Sequence, residues 1–201
     1  ICSGLVGSEM CIRDRHVIRG DTSEKVGMAI HIMMNSIKKA WQDFDGSHLI
    51  FCLEGRSFRK DIYAPYKRNR KELVDAMTEK EKEENEVFWE CFDDFCDFIK
   101  NKTNATVLRN ERVEADDLIA RWIDKHPEQK HVIISTDKDL NQLVAPNVKQ
   151  YNGVTEVTIT NEGWFDNKGN AVVDKKLKAP KPAPDTEWMI FEKAMRGDPS
   201  D

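Results

Sequence analysis

The sequence predicts an α/β protein in which helices lie on the faces of a central, mostly parallel sheet. Short apolar runs of strand length occur at residues 48–53, 105–109 and 131–135. Amphipathic patterns of helical period lie before and between these runs, at residues 26–41, 87–99 and 115–125. Strands that alternate with helices favour a parallel sheet joined by right-handed crossovers.

The first fifteen residues differ in hydrophobic pattern from the rest of the chain. The run ICSGLVGSEMCIRDR has neither a helical nor a strand period, and it lacks the basic start and small-residue cleavage site of a signal peptide. We interpret residues 1–15 as a non-native leader, with a genuine flexible tail as the alternative. The predicted fold therefore leaves this segment out.

The first predicted helix covers residues 26–41, where apolar side chains recur on one helical face. Lys38 and Lys39 lie near its end, where the helix dipole favours cations. The strand at 48–53 follows after Gly46. Its unbroken apolar run is typical of a strand that is buried on both faces.

Residues 66–86 interrupt the alternation of strands and helices. They carry many charges and few apolar anchors, so we expect a mobile or projecting element. Residues 87–99 place Phe88, Phe92 and Ile99 on one face and predict a packed helix.

The last fifty residues predict a small hairpin and a linker. Residues 152–184 begin with an alternating apolar pattern and continue into a Lys- and Pro-rich stretch. We interpret the first part as a hairpin and the second as an extended linker. A last helix is predicted at 185–196.

Composition limits the class of protein. The 201 residues are 39% hydrophobic and 33% charged, which is ordinary for a globular protein with one sizeable core. No run approaches the roughly 20 apolar residues that cross a bilayer, so we expect a soluble, cytoplasmic protein without membrane contact. The five cysteines lack CxxC spacing, which argues against a disulfide framework or a zinc ribbon. The net charge of −5 neither predicts nor excludes a nucleic-acid partner.

Carboxylates are grouped beside the ends of the predicted strands. Ligands bind at the carboxyl ends of strands in open α/β sheets, so these groups should share one edge. A single group has a simpler explanation, because acids in a first helical turn cap free N–H groups. Several groups together repel by about 1 kcal/mol or more per pair at ~4 Å and need cations. The grouped acids are Glu54, Glu114, Asp116, Asp117, Asp137 and Asp139, with Asp198 and Asp201 near the end of the sequence.

All of these candidate ligands are oxygen donors, and no histidine or cysteine accompanies them at matching spacing. The sequence therefore predicts a hard cation, Mg²⁺ with Mn²⁺ as a substitute. Many carboxylates on one edge can hold two ions roughly 4 Å apart, which activate water and stabilise the leaving oxygen of a phosphodiester. We therefore expect phosphodiester hydrolysis.

A basic block begins at Tyr66 and contains Lys67, Arg68 and Arg70. Lys and Arg side chains of this kind hold phosphates, while an aromatic ring stacks on an unpaired base. The alternative is a solvated charged helix, which we prefer for residues 80–86, where acids outnumber bases.

Four blocks in order resemble the 5′-nuclease family, which includes bacteriophage 5′-3′ exonucleases and ribonuclease H, flap endonucleases and the 5′-nuclease domain of DNA polymerase I. The blocks are FRKDIYAPYKRNR (58–70), VEADDLIA (113–120), ISTDKDLNQL (134–143) and GDPSD (197–201). The resemblance implies a three-layer α/β/α PIN-like fold with a projecting helical arch at about 66–86. It also implies two-metal cleavage near the 5′ ends of nucleic acids.

The resemblance also implies roles for individual residues. Glu54, Glu114 and Asp116 would lie nearer one metal, and the remaining acids nearer the other: Asp117, Asp137, Asp139, Asp198 and Asp201. Lys67 and Arg70 would act as catalytic residues near the scissile phosphate, and Tyr66 and Arg68 would also bind the nucleic acid.

The sequence departs from the family pattern at both ends. The family begins with a strand that ends in a metal-binding Asp, and no such block precedes Arg19. Glu54 stands where an Asp is usual. After Asp201 the family continues into a helix-three-turn-helix that grips duplex DNA, so we interpret residues 16–201 as a truncated nuclease core.

The resemblance implies a metal-dependent 5′-3′ exonuclease and flap endonuclease that removes primers or flaps in replication. We expect a monomer that acts on DNA or RNA–DNA hybrid beside replication proteins such as a single-strand-binding protein, in the host cytoplasm if phage-encoded. One alternative is a noncatalytic nucleic-acid-binding module of the same fold, against which the eight candidate ligands argue. Another is a phosphatase-like hydrolase with an aspartyl nucleophile, which Asp137-Lys138-Asp139 matches weakly.

Overall fold

A seven-stranded sheet forms the centre of the protein in the computed structural model, which describes residues 2–4, 22–66 and 76–197. The strands are β1 (Cys2–Gly4), β2 (Leu49–Leu53), β3 (Thr106–Arg109), β4 (His131–Ile134), β5 (Val148–Asn152), β6 (Val157–Thr160) and β7 (Gly163–Phe165). Their order across the sheet is β3-β2-β1-β4-β5-β6-β7. The pairs among the first five strands are parallel, and β6 and β7 are antiparallel.

Helices connect the strands. They are α1 (Thr22–Asp43), α2 (Arg59–Ile62), α3 (Glu79–Lys102), α4 (Ala115–Lys125) and α5 (Thr186–Arg196), with a 3₁₀ helix at Asp139–Leu143. The predicted helices at 26–41, 115–125 and 185–196 are confirmed, as are the predicted strands at 48–53, 105–109 and 131–135.

Strand β2 is buried on both faces, as its apolar run predicts. Ile50 and Cys52 join a cluster with Ile119 of α4 on one face. Phe51 joins a second cluster with Ile99 of α3 on the other face, where α1 also packs. Side chains alternate across a strand, so one strand supplies both cores. Helices cover the two faces of the sheet in three α/β/α layers, as predicted.

Helix α3 begins earlier than the packed helix predicted at 87–99. Thr78 and Glu81 form a capping box, in which each side chain bonds to the backbone N–H of the other. Lys25 of α1 forms an ion pair with Glu84 at 3.4 Å. Residues 79–86 therefore continue the helix predicted at 87–99, in agreement with the charged helix preferred for residues 80–86. Residues 67–75 lie outside the described part, so the arch remains a prediction.

Strand β1 is the middle one of the five parallel strands, although the sequence gives no strand signal there. Cys2 pairs with Leu49 of β2 and with Val132 of β4, both in parallel register. The expectation that residues 1–15 contribute nothing to the fold is therefore wrong for Cys2–Gly4. The non-native origin of the leader remains a prediction.

The Lys- and Pro-rich stretch folds back onto the β6–β7 hairpin. The backbone N–H of Lys181 donates to Val172 O at 2.7 Å, and Val173 forms an antiparallel bridge with Pro180. The Lys181 ammonium lies 3.1 Å from the centroid of the Trp164 ring. The predicted hairpin is confirmed, but the predicted extended linker is wrong for this segment.

The parallel order places a topological switch beside β1. The connections to β2 and β3 extend the sheet on one side of β1, whereas β4 and β5 extend it on the other. The carboxyl ends of β2 and β4 therefore flank a crevice at the end of β1, where ligands bind in open α/β sheets. Among the described residues, no helix combines the length and the hydropathy of a membrane span.

Candidate metal and nucleic-acid site

Glu54 follows β2 directly and caps the start of α4. Its Oε2 accepts a hydrogen bond from the backbone N–H of Ala115 at 3.0 Å. The first N–H groups of a helix have no partner within the helix, so a carboxylate there is stabilised by a hydrogen bond and by the helix dipole. The predicted ligand on β2 and the predicted ligands on α4 are therefore neighbours.

Glu114 is the N-cap residue of α4, but its side chain makes no capping hydrogen bond. The residue is 4% exposed, and its Oε2 accepts three hydrogen bonds from the segment after β2. The donors are Ser57 Oγ at 3.0 Å, Arg59 Nη1 at 2.8 Å and Tyr66 OH at 3.0 Å. Tyr66, predicted as a base-stacking residue, thus directs its hydroxyl to the predicted ligand Glu114.

Asp117 lies one helical turn further along and forms a bidentate ion pair with Arg59. Nη1 donates to Oδ2 and Nη2 to Oδ1, both at 2.7 Å. These hydrogen bonds to Asp117 raise the pKa of Arg59 further above its ordinary value. Parallel bonds of this kind fix both the distance and the orientation of the two groups.

The backbone holds the Arg59 segment beside the loop that enters α4. Three N–H groups of the segment donate to carbonyls of the loop: Gly55 to Val113 at 3.1 Å, Arg56 to Glu111 at 2.9 Å and Phe58 to Arg112 at 2.9 Å. A Cβ at Gly55 would lie 1.8 Å from Asn110 O, so only glycine permits this approach.

Asp137 and Asp139 follow β4 on the other side of the crevice. Asp137 Oδ1 accepts from the backbone N–H of Asp139 at 2.8 Å and so starts the 3₁₀ helix. The side chain of Gln150, on β5, donates to the carbonyls of Ser135 and Asp137 at 3.2 and 2.5 Å. Asp137 therefore closes the turn that leads into this helix, and Gln150 fixes the loop.

Asp139 pairs with a cation from the last helix. Its Oδ2 forms an ion pair with Lys193 Nζ of α5. The C-terminal helix is thereby joined to the same edge of the sheet as β4. Asp139 and Asp117 each have a protein cation as a partner.

The charge of Asp116, in the first turn of α4, acts on Cys52 of β2. Burial, and secondly the charge of Asp116, raise the pKa of the Cys52 thiol to about 12. Cys52 is fully buried, so it serves the core, as predicted, and takes no part in the exposed edge.

The structure brings the predicted ligands to one edge in two groups. Glu54, Glu114, Asp116 and Asp117 lie on the β2–α4 side, and Asp137 and Asp139 lie on the β4 side. Within residues 2–4, 22–66 and 76–197, no three His, Cys, Asp or Glu side chains converge closely enough to hold an ion. The remaining predicted site residues lie outside the described part: Lys67, Arg68, Arg70, Asp198 and Asp201.

The donor chemistry of the edge fits a divalent cation, because every candidate ligand is a carboxylate. The side-chain arrangement does not form a closed site in the described residues. Two of the carboxylates are instead in ion pairs with protein cations, Asp117 with Arg59 and Asp139 with Lys193.

Sequence reasoning missed three residues of this edge. Arg59 and Ser57 bond to Glu114 across more than fifty intervening positions, and no local pattern indicates such a contact. Gln150 lies in the mixed polar stretch VKQYN (148–152), which gives no local signal of a buried strand.

A family model for 5′-3′ exonuclease, N-terminal resolvase-like domains matches residues 7–170, which is most of the chain. The chain belongs to this family. The predicted resemblance to 5′-nucleases is therefore confirmed, and the carboxylate edge is the edge of a 5′-3′ exonuclease domain.

Curated relatives of this 5′-3′ exonuclease domain include flap endonucleases and DNA polymerase I. The flap endonuclease Xni of Aeromonas hydrophila is 31% identical over 122 residues, which cover 58% of this chain and 41% of the relative. DNA polymerase I of Rhizobium leguminosarum is 32% identical over 121 residues, covering 55% of this chain and 10% of the relative. The chain spans about two fifths of the length of the Xni relatives that it matches.

Solved structures of the flap endonuclease of bacteriophage T5 share the fold of this domain. One, described as a pseudo-enzyme-product complex with DNA and metal ions, has a TM-score of 0.69 at 24% identity and covers 100% of this chain and 67% of its own. Another, of the T5 5′-exonuclease with bound zinc, has a TM-score of 0.63 at 23% identity over 80% of this chain and 57% of its own. The predicted PIN-like α/β fold is confirmed.

Proposed function

We propose that this 5′-3′ exonuclease domain hydrolyses phosphodiester bonds near the 5′ ends of DNA or RNA–DNA hybrid, as a divalent-metal-dependent 5′-3′ exonuclease and flap endonuclease. The observation that carries the proposal is the gathering of carboxylates from β2, α4 and β4 at one edge, beside the topological switch of a sheet in this family. Removal of primers or flaps during replication in the cytoplasm would follow from this activity.

Two Mg²⁺ ions, or Mn²⁺ in their place, are the proposed cofactor. Their proposed ligands are Glu54, Glu114, Asp116, Asp117, Asp137, Asp139, Asp198 and Asp201. Bound ions of this kind activate water and stabilise the leaving oxygen of a phosphodiester. The chain itself contributes a rigid edge, because Glu54 is bonded to the start of α4 and Asp137 is bonded into the turn that starts the 3₁₀ helix.

The basic block is the proposed nucleic-acid contact. Tyr66 lies at the acidic edge through its bond to Glu114, and Lys67, Arg68 and Arg70 follow it in the sequence. Cations beside an acidic edge would bring a phosphate backbone to a surface that otherwise repels it. We assign Lys67 and Arg70 to the scissile phosphate. A 5′ flap or 5′ end would be the substrate of a monomer, which works beside single-strand-binding or other replication proteins.

A noncatalytic nucleic-acid-binding module is the second candidate. The pairing of Asp117 with Arg59 and of Asp139 with Lys193 favours it, since both carboxylates already have a protein cation. Such a module would bind the same nucleic acids through the basic block without cleaving them.

Thermal melting in EDTA and in Mg²⁺ tests the metal site. Mg²⁺ should raise the melting temperature by relieving carboxylate repulsion, and Asp137→Asn should shrink that rise. Asp124→Asn is a matched control, because Asp124 pairs with Arg121 on the exposed side of α4. The absence of any Mg²⁺ effect on the wild-type protein would refute the metal site.

Cleavage of a 5′-flap duplex separates the two candidates. The enzyme predicts Mg²⁺-dependent cleavage that Lys67→Ala slows far more than it weakens metal binding. Binding of the flap duplex without cleavage, at any Mg²⁺ or Mn²⁺ concentration, would support the binding module instead.

A further inference from the structure

Arg59 joins two carboxylates at the start of α4, those of Glu114 and Asp117. We propose that Arg59 is a positioning residue, a built-in counterion that orders Asp117 and Glu114 and thereby lowers the affinity of this edge for divalent cations. The inference rests on the proposed function, since it concerns the metal that this function requires.

The guanidinium makes three charge-assisted hydrogen bonds to the two carboxylates. Two go to Asp117 at 2.7 Å and one goes to Glu114 Oε2 at 2.8 Å. A planar fork of fixed geometry orients both acceptors, and an ammonium group cannot reproduce this pattern. The guanidinium therefore bridges Asp117 and Glu114.

Arg59 is itself fixed from the side of its own segment. Its backbone N–H donates to Ser57 Oγ at 3.3 Å, and its guanidinium carbon lies 5.0 Å from the centroid of the Phe58 ring. The hydroxyl of Ser57 bonds in turn to Glu114. The side chain of Asp117 is nevertheless 29% exposed, so ions from solvent can approach it, whereas that of Glu114 is only 6% exposed.

Opposite effects on ordering and on affinity follow from this arrangement. A unit positive charge within hydrogen-bonding distance of two carboxylates weakens their attraction for a second cation. The same charge holds the carboxylates in one geometry, and misplaced catalytic groups slow a reaction. Loss of Arg59 should therefore tighten metal binding and slow turnover at once. Loss of a residue that only stabilised the fold would weaken metal binding and slow turnover.

Three variants test the inference in the full chain. Arg59→Met removes the charge at similar length, and Arg59→Lys keeps the charge but loses the fork. Arg56→Met is the control, because Arg56 lies in the same segment but pairs with Asp61 at 3.0 Å on the exposed surface. Three quantities are measured for each variant. Calorimetry gives the Mn²⁺ affinity, and thermal melting is recorded in EDTA and in saturating Mn²⁺. Cleavage of a 5′-flap duplex gives kcat and KM.

Arg59→Met should bind Mn²⁺ about tenfold more tightly than the wild type, because one opposing charge is lost. Its melting temperature should fall in EDTA and recover in Mn²⁺, since the ion replaces the guanidinium. Its kcat should fall at least about tenfold while KM changes less. Arg59→Lys should keep the wild-type Mn²⁺ affinity within about twofold but lose kcat, because it keeps the charge. Arg56→Met should change none of these quantities.

Two outcomes overturn the inference in distinguishable ways. Equal or weaker Mn²⁺ binding by Arg59→Met, with a wild type that binds Mn²⁺ and cleaves the flap, overturns the role of Arg59 alone. A wild type that binds no Mn²⁺ overturns the proposed function together with the inference.

Discussion

Gln150 donates a hydrogen bond from its side-chain nitrogen to the main-chain oxygen of Asp137 at 2.5 Å. The same nitrogen bonds to Ser135 O at 3.2 Å, and the residue is 1% exposed. The interior of the sheet thus determines the course of the loop that presents Asp137. The buried side-chain amide of Gln150, on β5, therefore positions Asp137 although Gln150 does not itself lie at the acidic edge.

Gln150→Leu should destabilise the protein. The change removes both hydrogen bonds at a buried site, so we expect the free energy of unfolding to fall by about 1–3 kcal/mol. Urea unfolding in EDTA measures the change. Lys149→Gln, at the adjacent exposed position of β5, should stay within about 0.5 kcal/mol of the wild type. Equal midpoints for Gln150→Leu and Lys149→Gln would show that the loop does not depend on the amide.

Two substitutions of Glu54 should distinguish its hydrogen bond to the start of α4 from its proposed role as a metal ligand. Glu54→Gln keeps an acceptor for the N–H of Ala115, whereas Glu54→Ala loses it and should cost about 1 kcal/mol in EDTA. In Mg²⁺, both variants should lose part of the stabilisation seen in the wild type, because the charge is gone. Urea unfolding with and without Mg²⁺ distinguishes the two effects. If Glu54→Gln gained as much from Mg²⁺ as the wild type, Glu54 would be a cap only.

Gly55 and Gly27 should respond in opposite directions to alanine. A Cβ at Gly55 would lie 1.8 Å from Asn110 O and 2.7 Å from Val113 O, so the segment after β2 and the loop before α4 would have to move apart. We expect Gly55→Ala to cost about 1–3 kcal/mol or more. Gly27 lies inside α1 with nothing within 4 Å of its Cβ position, so Gly27→Ala should stabilise by about 1 kcal/mol. Thermal melting of the two variants would contradict this account if both shifted in the same direction.

The buried thiols should make the protein less stable at high pH. Burial, and then the charge of Asp116, raise the pKa of Cys52 from 9.0 to about 12, and burial raises the pKa of Cys96 to about 11. The unfolded chain therefore loses these protons near pH 9 while the native state keeps them. Stability is fully present below pH 9 and should fall above it, by up to about 1.4 kcal/mol per pH unit for each thiol.

Urea unfolding between pH 8 and pH 10.5 measures this slope. Cys52→Ala should flatten it by about the share of one thiol, and the double variant with Cys96→Ala should flatten it by the share of two. A slope that neither substitution changes would assign the pH dependence to other groups.

The helices and strands that were predicted are those whose own residues have a clear hydrophobic pattern. Ile50, Phe51 and Cys52 are apolar in succession because β2 has a helix layer on each face, so the run reports a buried strand directly. Strand β5 was not predicted, since it contains Lys149 and Gln150. Gln150 is tolerated in the core only because loop carbonyls accept its protons, and the loop is distant in sequence.

The acidic edge was predictable and its partners were not. The position of Glu54, Glu114 and Asp137 after strands or before a helix follows from the chemistry of sheet edges. The bonds of Arg59 to Glu114 and Asp117 join positions 55 and 58 residues apart, and a charged run gives no indication of such partners. The basic block was therefore interpreted through its cations and a stacking Tyr66 ring, and the bond from the Tyr66 hydroxyl to Glu114 was not predicted.

The interior position of β1 has a consequence for tolerance to substitution. Cys2–Gly4 is bonded on both sides, to β2 and to β4, and it lies before the part of the chain that the family model matches. Parallel pairing uses main-chain groups, which every residue except proline supplies in full. Loss of this strand would leave the inner edges of β2 and β4 unpaired. A proline within Cys2–Gly4, which removes a main-chain donor, should therefore damage the sheet from the inside.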